Sequence, residues 1–417
     1  MSYDSLYTLY YKKTPEEWEQ IYQRRFHSAS THHFPLDIRQ LGYPTAYPAF
    51  YCLTEDMLLL QEKISSAFLS LKNILHALPP IAITQFLRSC LVIEVQSSSA
   101  IEGVHSSRKE IRETLLFSKS SSYNSRFSGI VNKYTKILTD ETVPLETCED
   151  VRHLYDDFIL KEVVEENPEN YPDGRIFRKD SMDVVSATQK PIHRGIQTEA
   201  QIIHYMGTAL AILHDETIPF LFRISIFHYF FGYIHPFYDG NGRMSRFITS
   251  YLLSKHYDPT IALRLSLLLK TKRNEYYKLF TRTNADNNRG DLTPFILRSL
   301  EFIVTAILDT QKILEEKQNR LLDLSERLLT LLQNETSLDP QSKADAPKWQ
   351  LYAILLQAAI FSDIGATTAE IQTALGKSRK TIDGYLKQIP PEYLRTVKEG
   401  RTNHYRLNLQ IIEKEKA

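Results

Sequence analysis

Apolar residues recur at three- and four-residue spacing from about Leu58 to Asn334, the period that gives an α-helix one buried face. The stretches "LLLQEKISSAFLSLKNIL" and "ITQFLRSCLVIEVQSSSAIEG" follow it, the second ending at Gly103, a good helix terminator. "TEAQIIHYMGTALAILHD", "FLFRISIFHYFFGYI", "RMSRFITSYLLSKHY" and "NEYYKLFTRTN" read as further helices, and the second of these is apolar nearly all round, so it is expected at the centre. A long helix begins at "LTPFILRSLEF". Leu314, Leu321 and Leu328 recur every seven residues in it, but Thr310 and Lys317 interrupt the second seam. Packing on the bundle is therefore expected over a coiled-coil dimer, with a homodimer left as an alternative. The period changes between Gly174 and Gly195, where Met182 and Val184 alternate with polar neighbours and Lys190-Pro191 breaks the run, which predicts a β-hairpin inserted between helices.

Beyond "NETSLDPQSKADAP", a polar linker with two prolines, the pattern shifts again. "KWQLYAILLQAAIF", "TTAEIQTAL" and "SRKTIDGYLKQI" read as three helices, with Gly376 at the turn between the last two, and "YLRTVKEGRTNHYRLN" as two strands about a Glu-Gly turn. That is the order of a winged helix-turn-helix. The expected division is an N-terminal extension packing on the core (1–57), a mainly α core (58–310), a helix and linker (311–345) and a winged helix domain (346–417).

Composition adds limits more than content. Lys+Arg and Asp+Glu number 50 each, so the whole chain is no polyanion trap and any nucleic-acid contact needs a local basic face. From Ala366 to Ala417 ten Lys/Arg stand against six Asp/Glu, a net of +4, with Lys377, Arg379 and Lys380 at the start of the third helix and Arg401 at the hairpin tip. DNA and protein are both retained as partners of that domain. Three scattered cysteines form no CxxC pair, the N-terminus lacks a signal-peptide pattern and no run of 18 apolar residues occurs, so a cytoplasmic protein without a membrane partner is expected.

The chemistry concentrates in "HPFYDGNGRMSR", His235 to Arg246. Gly240-Asn241-Gly242 precedes a helix, where unpaired N–H groups and the positive dipole end favour phosphate oxygens. Asp239 stands beside that nest, placed to hold Mg²⁺. Arg243 and Arg246 are three apart on the first helical turn and suit phosphate clamping. His235 is the one group there that takes a proton near neutral pH. Each element alone has a bland reading, the GNG as a turn and the histidine as a loop residue; together they describe a nucleoside triphosphate site with a general base at its edge. Pro236 and Gly240 keep a regular helix from presenting His235 and Asp239 as a metal pair. No GxxxxGK[ST] loop occurs.

The segment resembles the signature of the Fic domain, HPFx(D/E)GNGRxxR, at every specified position. The resemblance implies a Fic-type helical bundle that transfers AMP from ATP to a Ser, Thr or Tyr hydroxyl of a target protein. It implies His235 as base, Asp239 as Mg²⁺ ligand, Phe237 as the apolar anchor of the loop, and Gly240 to Arg246, Met244 and Ser245 included, as the phosphate side of the ATP site. Upstream, "SSAIEG" resembles the family's inhibitory pattern, with Ser98, Glu102 and Gly103 in the specified places on a helix spanning 84–103. Ser98 and Glu102 are i, i+4 on one helix face. The resemblance implies that Glu102 reaches Arg246 and misaligns ATP. It further implies a flap at 174–195 that receives the target by strand addition, with Ser186, Ala187, Thr188 and Gln189 over the ATP, and an adenine side formed by Tyr276, Tyr277 and Asn284. Removal of AMP through the same site, and a DNA-binding regulator acting through the winged helix, are the alternative functions.

Overall fold

The computed structural model describes residues 3–117, 125–139, 141–185, 190–335, 338–339 and 342–414. They are mainly helical, with two two-stranded and one three-stranded antiparallel sheets. Two compact units divide the chain: one of Met1–Ala67, Glu94–Ser106 and Thr114–Ala306, the other of Phe68–Ile93, Ser107–Glu113 and Ile307–Ala417. This is not the sequential division expected at 310 and 346. The helices Pro80–Ile101 and Thr293–Glu335 each contribute residues to both units.

In the first unit the helix Phe220–Ile234 is buried on almost every side, as its unbroken apolar run requires. It packs between Glu199–His214 and Asn241–His256. Cys148–Tyr155 and Lys161–Glu166 are joined through one π-helical turn, Asp156–Leu160. The strands Thr31–Ile38 and Tyr47–Cys52 pair from Thr31↔Cys52 to Ile38↔Tyr47, and Phe34, Leu36 and Ile38 alternate inward. The expected hairpin within 174–195 is present as Asp183–Val185 paired with Pro191–Arg194.

The second unit contains the helices Ala346–Phe361, Thr368–Leu375 and Arg379–Leu386, in the expected order. A sheet of Ala366–Thr367, Thr402–Leu407 and Leu394–Glu399 follows in that spatial order. Gly376 ends its helix at φ +62°, a conformation that favours glycine. Residues upstream belong to this unit as well: Gln85 and Arg88 both bond the Glu370 carboxylate, and Arg112 Nε donates to Glu399 Oε1 at 2.6 Å.

Candidate active site

The helix Phe220–Ile234 ends on His235, which caps it with φ +53° and ψ +63°. The left-handed turn throws the chain out of the helix and into the loop that leads to Gly240. Phe237 holds the loop from below: it is fully buried, stacked on Tyr155 at 3.7 Å between ring centroids and edge-on to Phe177. Asn241 closes the loop with two bonds to one residue, accepting from the Phe237 amide at 3.0 Å and donating to its carbonyl at 2.8 Å. Its side chain is thereby committed to the loop, and the nest consists of backbone. Gly240 takes φ +82° as N-cap of the helix Asn241–His256, which carries no side-chain cap. A Cβ on Gly240 would press on Ile159 at 3.2 Å.

The two arginines part company. Arg246 is buried and donates from Nε to Ser98 Oγ (3.0 Å), from Nη2 to the Ser98 carbonyl (2.9 Å) and from Nη1 to Glu102 Oε1 (2.7 Å). Arg243 is buried as well, but it is paired with Glu162 at 3.0 Å and reaches Asp239 at 3.4 Å. It is not among the residues lining the cavity described below, and its pair with Asp239 orients that carboxylate. Glu162, offered by the turn after the π-helical step, was not legible as part of the site.

Glu102 is the first residue past the helix Pro80–Ile101, in the turn where Gly103 takes φ +83°. Two turns earlier Glu94 is fully buried, accepting from the Ser266 amide at 2.9 Å and from Ser250 Oγ, and burial pushes its carboxyl up to about 7. Burial acts on the Glu102 carboxyl in the same upward sense, but the Arg246 guanidinium outweighs it and holds the pKa below the usual value. Gly242 is what lets this carboxylate in: a Cβ there would lie 2.0 Å from Glu102 Oε1.

A cavity opens on these groups, lined among others by Glu102, His193, His235, Gly242, Arg246 and Asn284. Tyr276 and Tyr277 both line it. The Tyr276 hydroxyl lies 2.9 Å from His228 Nε2, and the Tyr277 hydroxyl donates to the Ile101 carbonyl at 2.9 Å, so the second tyrosine is fastened to the Glu102 helix. Asn284 accepts from the Tyr229 hydroxyl at 2.7 Å, which leaves its amide nitrogen as the group offered to a ligand. Met244 is buried in the core, and Ser245 Oγ sits 3.0 Å from His228 Nδ1. Ser186, Ala187, Thr188 and Gln189 lie outside the described residues.

His235 Nδ1 approaches the Gly232 carbonyl at 3.3 Å. A carbonyl only accepts, so Nδ1 carries the proton and Nε2 keeps the lone pair. Burial, with the neighbouring His193 and Arg178, brings the His235 pKa down to about 4, so the ring is neutral at pH 7. As for a cation, no cluster of three His, Cys, Asp or Glu exists among the described residues. Asp239, with its side chain 39% exposed, is a single carboxylate beside the nest. That donor set fits Mg²⁺ arriving on nucleotide phosphates rather than a cage of protein ligands.

Residues 146–253 match the Fic/DOC family model, a stretch that runs from the helix beneath Phe237 through the loop and its following helix. Over that stretch the chain is similar to Fic domains. It is 31% identical over 123 residues to the protein adenylyltransferase Fic of Drosophila yakuba, covering 30% of this chain and 22% of that one. The enzyme of the same name from Drosophila willistoni is 32% identical over 114 residues, 27% of this chain and 20% of the relative. The match thus spans about a fifth of these relatives' length. Among solved structures, a Fic family protein from Desulfovibrio desulfuricans aligns at TM-score 0.48 and 18% identity, over 86% of this chain and 97% of that one. Fic-1 of C. elegans aligns at TM-score 0.44 and 21% identity, over 62% and 74% of the two chains.

Proposed function

We propose that the chain is a protein adenylyltransferase that moves AMP from ATP to a hydroxyl side chain of a target protein and is held inactive by its own Glu102. The observation that carries the proposal is one cavity edged by a neutral His235, the Asn241–Gly242 part of the nest and an Arg246 already engaged by Glu102. ATP would lie with its base against Tyr276, Tyr277 and Asn284 and its phosphates on the nest. A target strand would add to the hairpin of Asp183–Val185 and Pro191–Arg194, whose two-stranded sheet leaves outer edges for pairing. His235 Nε2 takes the proton of the hydroxyl, its oxygen bonds to the α-phosphorus, the bond from that phosphorus to the bridging oxygen breaks, and pyrophosphate departs. Mg²⁺ bound through Asp239 would offset the phosphate charge. Glu102 occupies the Arg246 donor that a γ-phosphate would otherwise use, and a displacement of about 1 Å at the reacting phosphorus costs on the order of 100-fold in rate.

The test compares wild type, Glu102→Gly and Glu102→Gly/His235→Ala with ATP labelled at either the α- or the γ-phosphate. Label from the α-position on the Glu102→Gly protein alone is expected. Label from the γ-position would make the reaction phosphoryl transfer, and equal labelling of the double variant would remove His235 from the chemistry.

We also read the C-terminal helices and hairpin as a winged helix that contacts duplex DNA. Lys377, Lys380, Lys398 and Arg401 are exposed, as is Arg379, which faces Asp383 at 3.9 Å, whereas Glu370, Glu399 and Glu413 are paired with Arg88, Arg112 and Arg320. The surface charge left over is positive. Retention of the full chain on duplex DNA should weaken with salt, and Lys380→Glu/Arg401→Glu should lower the salt slope by about 2, one unit for each phosphate no longer neutralised. An unchanged slope would assign this face to another partner.

A further inference from the structure

Arg178 is fully buried, and among the described residues it makes no ion pair with a carboxylate. A buried guanidinium normally has an anion beside it. Here carbonyl oxygens take its place. Nε donates to the carbonyl of His235 (2.8 Å), Nη2 to those of Ile196 (2.9 Å) and Ile234 (3.3 Å), and Nη1 to that of Asp180. The Arg178 amide itself donates to the Pro236 carbonyl at 3.2 Å. Three consecutive carbonyls around the base are therefore held from one residue.

The partners have a pattern. Asp180 precedes the first hairpin strand and Ile196 follows the second, so the guanidinium joins both feet of the hairpin to the backbone of His235. The neighbouring contacts tighten the same junction: Gly195 donates to the Met182 carbonyl at 2.9 Å and Ile196 to that of Ile234 at 3.1 Å. Gly195 is required there, since a Cβ would stand 2.4 Å from Arg178 Nη2 and 2.9 Å from His235 Cβ. His235 itself sits at φ +53°, a conformation that persists in a residue with a side chain only where surroundings hold it. Only a planar fork of donors reaches so many diverging carbonyls at once, which an ammonium does not.

From this junction we propose that Arg178 is a positioning residue that sets the register between the hairpin and His235, so that a hydroxyl carried by a strand on the hairpin arrives at Nε2. The proposal rests on the AMP-transfer reading. Arg178 is not among the groups lining the nucleotide cavity, so it acts on the acceptor side of the reaction and leaves ATP binding alone.

The experiment places Arg178→Lys and Arg178→Ala in the Glu102→Gly background and measures ATP affinity and labelling rate separately. Expected are an ATP Kd within about threefold of the parent and a kcat lowered on the order of 100-fold in both, with partial recovery of Arg178→Ala by added guanidinium ion. Proportional loss of ATP binding and kcat, or a kcat within about threefold of the parent, would overturn it. A second measurement does not depend on turnover: hydrogen exchange of the hairpin amides and the His235 ring signal in histidine-labelled protein. Arg178→Lys should speed exchange at Asp183–Val185 and move the His235 resonance while the Tyr276 surroundings stay unchanged; silence in both would end the proposal. If the parent transfers no AMP, the function above fails, and exchange and resonance still decide whether Arg178 joins the hairpin to the base.

Discussion

His235 is available as a base at the cost of basicity. Its neutral form prevails at pH 7 because burial, His193 and Arg178 together bring the pKa down to about 4, against the opposing pull of the Gly232 carbonyl bond and of Glu102. Activity requires the neutral ring, so it is lost as pH falls through that value and not through the ordinary 6.5. In the Glu102→Gly variant the opposing carboxylate is gone, which shifts the limb further to acid. A kcat/KM profile for that variant should therefore run flat across the neutral range and fall only near pH 4 or below; an inflection near 6.5 would mean a solvated ring. Arg246 gives a second prediction at the same scale. With Glu102 present its Nη1 is occupied at 2.7 Å; without it, that donor is left for a phosphate. A charge-assisted bond of this kind is worth about 1.5–3 kcal/mol, so ATP should bind Glu102→Gly about 10- to 100-fold more tightly. The variant without ligand should melt lower and gain more from ATP than wild type does. Equal gains would show that Glu102 and the nucleotide do not compete.

At the level of elements, the site depends on how helices meet the loop. The π-helical turn Asp156–Leu160 shifts the face of its helix so that Tyr155 stacks on Phe237, Ile159 meets Gly240 and Glu162 reaches Arg243. The Glu162–Arg243 pair is 3% and 2% exposed, so Glu162→Ala would leave the buried cation only Asp239 at 3.4 Å and should cost up to about 3–5 kcal/mol in a urea titration. Replacing both partners, as Glu162→Leu/Arg243→Met, should return most of that loss while leaving Asp239 without its orienting partner. Failure of the double variant to recover would place the cost in packing, not charge. These elements also mark what the sequence makes readable. The stretch His235–Arg246 is contiguous, so its chemistry is legible from spacing, and Ser98 with Glu102 is legible as one helix face. Glu162 and Arg178 are not, because each acts across 81 and 57 residues of chain. No local period encodes such a contact. The strands Thr31–Ile38 and Tyr47–Cys52 do alternate at Phe34, Leu36 and Ile38, but Pro35 and Pro48 inside them carry the weight of strand breakers.

Over the whole molecule, what sequence order presents as a C-terminal domain on a linker is one part of a unit assembled from three segments. Glu370 shows how the assembly is fastened. It closes a capping box with Thr367, accepting from that amide at 2.8 Å, and accepts from Gln85 Nε2 at 2.7 Å and from Arg88. Glu399 is buried and takes Arg112 Nε at 2.6 Å. Charge-assisted bonds to buried carboxylates survive a cut in the chain, whereas a domain tethered only by a linker does not. A protease site placed between Thr336 and Ser342 tests this directly. After cleavage, the piece beginning near Ser342 should co-elute with the remainder in gel filtration under native conditions and separate only in denaturant. Glu370→Gln/Glu399→Gln should weaken that retention, since each replacement keeps shape and removes charge. Release of the C-terminal piece from the otherwise unaltered chain would show that the segments 68–93 and 107–113 do not hold it, and would restore the simple picture of an independent domain on a tether.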